Sequence, residues 1–344
     1  MRSMSREQRD IEKARAASSQ LWAKASLVTP MAIRAVATLR VADRLAEGPR
    51  TAPELGEAVG AHPDSLARVL RHLVAEGLFT WDGERFALTD TGAALRSDHP
   101  YSRLHWFAAD SAHGRADLCL SELTEALRTG ESAYGLHFEG TSFWEDLSAD
   151  PALSASFDEI MGARMAAQAR TLSGMYEWQA LEHLVDVGGG DGTLLRTLLE
   201  RFSHPRGTVV DLAGPAAAAR ETFRRAALSD RADAVEGSFF DPLPEGGEAY
   251  LLSWVLHDWD DDSARAILRR CAEAAGPAGV VLVAEYDGGP AVFELDVRML
   301  AYFNGRERSA EEIAALAAEA GLSLAGNHES HGIELLEFTV GHPR

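Results

Sequence analysis

The chain has 344 residues, 46% of them hydrophobic and 25% charged, the make-up of a soluble globular protein long enough for two domains. A net charge of −20 and a pI near 5.0 argue against non-specific attraction to nucleic acid or to an anionic membrane. No apolar run approaches membrane-spanning length, the opening M-R-S-M-S-R-E-Q-R-D-I-E-K lacks the apolar core of a signal peptide, and Cys119 and Cys271 imply no disulfide framework. A cytoplasmic protein is expected.

From Ser19 to Leu45 apolar residues recur at helical spacing, with Pro30 marking a break between two helices. Much of this stretch is apolar on more than one face, which invites a partner subunit. T-A-P-E-L-G-E-A-V-G reads as a helix with Thr51 as N-cap and Pro53 in its first turn. A second helix places Leu66, Val69, Leu70, Leu73 and Val74 on one face and stops at Gly77. Phe79–Trp81, the Asp82-Gly83 turn and Arg85–Leu88 read as a hairpin, completing a winged helix-turn-helix over residues 1–100. DNA binding is the obvious use of that fold. However, Arg68, Arg71 and His72 on the second helix are balanced by Asp64 and Glu76, whereas DNA binders present a basic face.

Residues 101–344 are expected to form the catalytic domain, with 101–175 a helical connector roofing the substrate cleft. Leu104, Trp106, Phe107, Leu118, Leu123 and Leu127 suggest helices joined by the looser G-E-S-A-Y-G-L-H-F-E-G-T. A further helical run starts at Phe143 and continues through Phe157, Ile160, Met161 and Met165. Such a stripe is ordinarily core, and here it can also face a ligand, since Met adapts to flat molecules.

At Leu184 the run L-V-D-V-G-G-G-D-G passes from a buried strand through glycines into a helix beginning near Asp191. The helix turns free N–H groups toward ligand atoms. The spacing Gly188, Gly190, Gly192 is G-x-G-x-G, with Thr193 where the third glycine of a dinucleotide fingerprint belongs, so hydride chemistry is disfavoured. Asp186 before the turn suits the cationic methionine end of S-adenosylmethionine (SAM). Asp211, about 20 residues on, suits the ribose hydroxyls. Strands and helices then alternate: 184–188, 191–202, 208–212, 215–227, 232–236, 249–254, 262–275, 280–284, a helix at 309–320, and strands at 322–328 and 333–340. This is the pattern of a mostly parallel, doubly wound α/β sheet with one antiparallel member in the closing pair.

D-V-G-G-G-D-G, F-F-D-P-L-P, Y-L-L-S-W-V-L-H-D-W-D-D, A-E and G-R-E-R-S, in this order, resemble the SAM-dependent small-molecule O-methyltransferases of natural-product pathways, dimeric enzymes that methylate phenols. The resemblance covers nearly the whole chain. It implies a Rossmann-like SAM-methyltransferase sheet with an N-terminal, mostly α winged-helix dimerisation domain, and a homodimer that uses SAM, releases S-adenosylhomocysteine and needs no metal. It implies that Gly188, Gly190, Asp211, Ser238, Phe239 and Ser253 surround SAM, with Phe239 stacked on the adenine. It further implies His257 as general base flanked by Glu285 and Glu307, and an acceptor pocket that includes Trp106, Phe157, Met161, Trp254, Asp258, Met299 and Phe303.

This chain departs from the family pattern at three places. Ser238 replaces a usual aspartate, Ala213-Gly214-Pro215 replaces the usual segment after the ribose acid, and the segment between Glu285 and Asp296 is short. Asp258, Asp260 and Asp261 superficially resemble a divalent-metal cluster, although two of them suit the N-terminus of the helix near Asp262. His328 and His331, without nearby cysteines, read as surface residues. Relatives that hold SAM while hydroxylating, decarboxylating or cyclising form the alternative enzymatic class; a ligand-sensing DNA-binding regulator is the other reading.

Overall fold

The computed structural model describes residues 6–286 and 290–341. Two compact units, one ending at Arg115 and the other beginning at Ala116, are each built on their own buried apolar residues.

In the first unit, helices Arg6–Ala25 and Val28–Thr38 are separated at Ser26-Leu27. The break therefore precedes Pro30, which falls in the first turn of the second helix, where its missing N–H has no partner to lose. Thr51 caps helix Ala52–Val59 through a capping box: its Oγ1 accepts from Glu54 N at 3.4 Å, and the Glu54 carboxylate accepts from Thr51 N at 2.7 Å. Helix Pro63–Ala75 buries Leu66, Leu70 and Leu73 against Val36, Val41 and Leu55. Strands β1 (Arg50–Thr51), β2 (Phe79–Trp81) and β3 (Arg85–Leu88) make a small antiparallel sheet in the order β1-β3-β2, which is the wing.

The second unit is organised on a seven-stranded sheet of β4 (His183–Val187), β5 (Arg206–Asp211), β6 (Ala232–Glu236), β7 (Ala249–Ser253), β8 (Val280–Tyr286), β9 (Leu322–Ser330) and β10 (Ile333–Val340). The strand order is β6-β5-β4-β7-β8-β10-β9. Pairings are parallel except at β10, which runs antiparallel to both β8 and β9. The interior strands are largely apolar because both faces are covered, with acids such as Asp186 and Glu285 near their carboxyl ends. Leu184 lies in a core with Leu172, Leu194 and Phe223, while Val185 and Val187 lie in another with Ile267, Leu268 and Ile313. The strand order reverses at β4, between β5 and β7, so the crevice at their carboxyl ends is where a doubly wound sheet binds its ligands.

Three local expectations change. The helix after the glycine turn starts at Thr193, because Asp191 and Gly192 belong to the turn itself. The stretch around Ala133 holds a short helix, Ala133–His137, capped by Ser132. Between β8 and the G-R-E-R stretch a helix forms over Pro290–Phe303, which the sequence reading left unassigned.

Candidate active site

His257 sits in the one-turn 3-10 helix Leu256–Asp258 that follows β7, with Leu256 anchored in the core and the imidazole buried. Glu285, near the end of β8, directs its Oε1 to the backbone N–H of Leu256 at 3.0 Å and its Oε2 to within 3.3 Å of His257 Nδ1. Glu307 reaches the same nitrogen from a third segment, with Oε1 3.1 Å from Nδ1. Neither contact is an aligned hydrogen bond; the two carboxylates straddle the ring nitrogen. The other nitrogen, Nε2, has Asp258 Oδ1 at 3.4 Å. Two acids on Nδ1 keep the proton there in the neutral ring, which leaves Nε2 as the atom able to accept another.

Electrostatics sharpen this arrangement. Burial by itself lowers the basicity of His257, but the charges of Glu285 and Asp258, with the contacts to Glu285 and Glu307, outweigh it and raise the pKa well above 6.5. Burial pushes Asp258 up to about 7, although His257 pulls the other way. Among the described residues, His257, Glu285 and Glu307 are the His, Cys or acid group whose ligand atoms, all within 4.8 Å of one another, match a metal-binding spacing.

The loop bearing Glu307 is held in place by close packing and by one arginine. A Cβ on Gly305 would lie 2.2 Å from the carbonyl oxygen of His257, so only glycine allows the two loops to touch. Glu307 N donates to Asp296 Oδ1 at 2.8 Å, tying the loop to helix Pro290–Phe303. Arg308, with a side chain 2% exposed, donates to the carbonyls of Leu256 and Trp259, each at 2.8 Å, and to Asp261 Oδ1 at 2.8 and 3.0 Å. Asp260 caps helix Asp261–Ala275 through Ser263 N at 2.8 Å. The acids after His257 thus serve a helix start and the Arg308 clamp. His328 packs edge-on against Tyr176 at 6.1 Å.

At the carboxyl end of β4, Gly188 (φ 73°) and Gly190 (φ 57°) turn the chain. A Cβ on Gly188 would fall 2.9 Å from Val255 Cγ2 and 3.5 Å from the Phe239 ring, so this glycine keeps a narrow space open beside that ring. Asp211, at the end of β5, accepts from Gly190 N at 2.9 Å and Leu212 N at 2.7 Å. Ser238 accepts from Phe240 N at 3.2 Å. Both carboxylate oxygens of Asp186 and the Ser253 hydroxyl are buried without a hydrogen-bond partner among the described residues. Burial, with the nearby charges of Asp211 and Asp191, pushes Asp186 up to about 7, and Asp158 is raised by the same causes. Buried acids that repel one another beside a glycine turn suit a ligand carrying positive charge, and SAM brings a sulfonium and an ammonium.

Of the residues expected around an acceptor, Phe157, on helix Pro151–Leu172, meets Phe143 at 5.6 Å and Trp144 at 5.7 Å. Phe303 stacks on Trp144 at 5.3 Å. Met299, on the same helix as Phe303, is buried and its carbonyl accepts from Gly305 N at 3.1 Å, beside the His257 loop. Met161 is half-buried on the same helix as Phe157. Trp254, adjoining Ser253 in a left-handed conformation (φ 54°), lies 5.5 Å from the ring of Tyr286. Trp106 belongs to the first unit, where it packs on His113 at 4.5 Å. Sequence reasoning passed over Asp158, Arg164, Tyr286 and Arg308; the first two follow Phe157 on its helix, and Arg308 stands inside the recognised G-R-E-R.

The sequence pattern of the O-methyltransferase domain matches residues 120–323, and that of the O-methyltransferase dimerisation domain matches residues 24–98. The chain is 53% identical over 329 residues to 2,7-dihydroxy-5-methyl-1-naphthoate 7-O-methyltransferase of Streptomyces carzinostaticus, covering 95% of this chain and 99% of that one. It is 41% identical to aclacinomycin 10-hydroxylase RdmB of Streptomyces purpurascens, covering 92% and 88% respectively. The crystal structure of an O-methyltransferase from neocarzinostatin biosynthesis, in complex with SAM and 2-hydroxy-5-methyl naphthoic acid, superposes with a TM-score of 0.89 at 54% identity. The superposition covers 93% of this chain and 98% of that one. With both domain patterns matched in order and relatives aligned almost end to end, this chain belongs to the O-methyltransferase family and is a SAM-dependent O-methyltransferase.

Proposed function

We propose that this enzyme methylates a hydroxyl on a fused aromatic ring of the polyketide type, with His257 as the base that removes the hydroxyl proton. When bound, SAM supplies a methyl group already activated by its sulfonium. What remains for the chain is alignment, worth about 7–11 kcal/mol at best, and proton removal, worth roughly 10²–10⁴-fold. The buried Asp186 at the end of β4, the Asp211 carboxylate at the end of β5 and the narrow space at Gly188 suit the binding of the cofactor. The rings of Phe143, Trp144, Phe157 and Phe303 suit the exclusion of water from a flat acceptor.

The observation that carries the reading is the pairing of His257 Nδ1 with two buried carboxylates, at 3.1 and 3.3 Å, which leaves Nε2 to take the proton. Glu285 and Glu307 then stabilise the imidazolium. Replacing His257 by Ala is expected to lower turnover on a dihydroxynaphthoate acceptor by about 10²–10⁴-fold while SAM affinity, measured by calorimetry, stays close to wild type. A small loss would overturn the base assignment and leave alignment as the source of rate. The 41% identical hydroxylase makes an alternative use of the fold concrete; methylated product from SAM and a phenol decides against it here.

We also read the enzyme as a homodimer. Leu21, Trp22, Leu27 and Val28 are 68%, 78%, 71% and 63% exposed on the first two helices and the joint between them, within or beside the matched dimerisation region, and a second copy would cover them. Light scattering is expected to give twice the chain mass of 37.1 kDa.

A further inference from the structure

Arg164 is a cation near the acids of this site that forms no ion pair among the described residues. Arg164 lies two helical turns beyond Phe157 on helix Pro151–Leu172, so the two share a face. Its Nε donates to the Tyr286 hydroxyl at 2.7 Å, and its guanidinium carbon sits 4.9 Å from the centre of the Tyr286 ring. Gln168, one turn further along the same helix face, donates to the same hydroxyl. The guanidinium is therefore held by one edge and one face. Among the described residues, no carboxylate lies within ion-pairing distance of it, and its two terminal nitrogens make no hydrogen bond.

The surroundings place this cation at the reaction centre. Tyr286 ends β8 one residue after Glu285, on the opposite face of the strand from the carboxylate that contacts His257. Asp258, the neighbour of His257 Nε2, feels the charge of Arg164, and Tyr286 feels the charges of both Arg164 and His257. Beside Tyr286 stands Trp254, whose indole Nε1 is buried with no hydrogen-bond partner among the described residues. The half-buried guanidinium and the indole N–H, each beside the Tyr286 ring, are donors suited to an anion carried on a flat molecule. A neutral phenol would leave both donors unmet, at a cost in a partly desolvated site.

We propose that the acceptor is an aromatic hydroxy acid and that Arg164 binds its carboxylate, turning the ring so that one hydroxyl addresses His257. The inference rests on the reading of the site as an aromatic O-methyltransferase. Arg164 is thus a specificity residue, and the spacing between carboxylate and hydroxyl selects which oxygen is methylated. A planar guanidinium suits a carboxylate better than an ammonium does, because it offers two parallel donors.

The test compares a hydroxynaphthoic acid with the naphthol of the same ring pattern lacking the carboxyl group, for wild type, Arg164→Met and Arg164→Lys. Wild type is expected to favour the acid in kcat/KM by about 10–100-fold, chiefly through KM. The ratio should collapse toward unity in Arg164→Met and recover in part in Arg164→Lys, with SAM binding by calorimetry retained as the sign of a folded protein. Wild type turning over acid and naphthol equally would overturn the role of Arg164 while leaving aromatic O-methylation standing, and this comparison needs no variant. An unchanged ratio in a folded Arg164→Met would also overturn it. Methylation of neither acceptor would sink the underlying reading as well.

Discussion

Arg308 Nη1 donates to the carbonyl oxygen of Leu256 at 2.8 Å, across 52 positions of sequence, and so joins the loop that carries His257 to the loop that carries Glu307. Removing this guanidinium strands the buried carbonyls of Leu256 and Trp259 and loosens both loops. Arg308→Met is expected to destabilise the fold by about 2–4 kcal/mol and to lower turnover well beyond what lost folded protein explains. Denaturant melts paired with active-site-normalised rates check this. Arg308→Lys should rescue little, since an ammonium cannot reach two carbonyls and Asp261 together.

Because its neighbouring carboxylates outweigh burial and hold the His257 pKa well above 6.5, the imidazole keeps its proton to higher pH than a free one and becomes a competent base as pH rises. The rate should therefore climb with pH along a limb whose midpoint lies above 6.5. Glu307→Gln and Glu285→Gln each remove a negative charge beside Nδ1, so the limb should move toward acid while the plateau falls. Rate profiles of the three proteins decide it; coincident limbs would separate the acids from the titrating group.

Asp186, pushed up to about 7 by burial and then by Asp211 and Asp191, is partly protonated in the free enzyme at neutral pH. A cationic ligand favours the ionised carboxylate, so SAM binding should release protons near pH 7. Affinity should be greatest above that pH and weaken below it. Calorimetry in buffers of different ionisation enthalpy measures the release. S-adenosylhomocysteine, which lacks the sulfonium charge, should release less, and Asp186→Asn should abolish the effect.

The metal-like spacing of His257, Glu285 and Glu307 admits a direct check. If these acids orient a base, dialysis against a chelator leaves turnover unchanged. Loss of activity restored by one divalent ion would reassign the trio as ligands.

The glycine turn, the alternating strands and the winged helix were legible because each depends on neighbours in sequence: φ above zero at Gly188, apolar runs buried on both faces, a cap at Thr51. His257, Glu285 and Glu307 could be named from strand-end motifs, and Asp186 from its place before the turn. Periodicity says nothing about which charges end up without partners. The helix Pro290–Phe303 was missed because its start follows a short segment with turn-forming glycines, and its tie to Glu307 through Asp296 is tertiary. That His257 Nδ1 meets two acids rather than one, that Arg308 locks two distant loops, and that Arg164 is tied to Tyr286 were decided by packing alone. Segments far apart in sequence are brought within 2.8–3.3 Å only when the sheet assembles, and burial then sets the charge each group can hold.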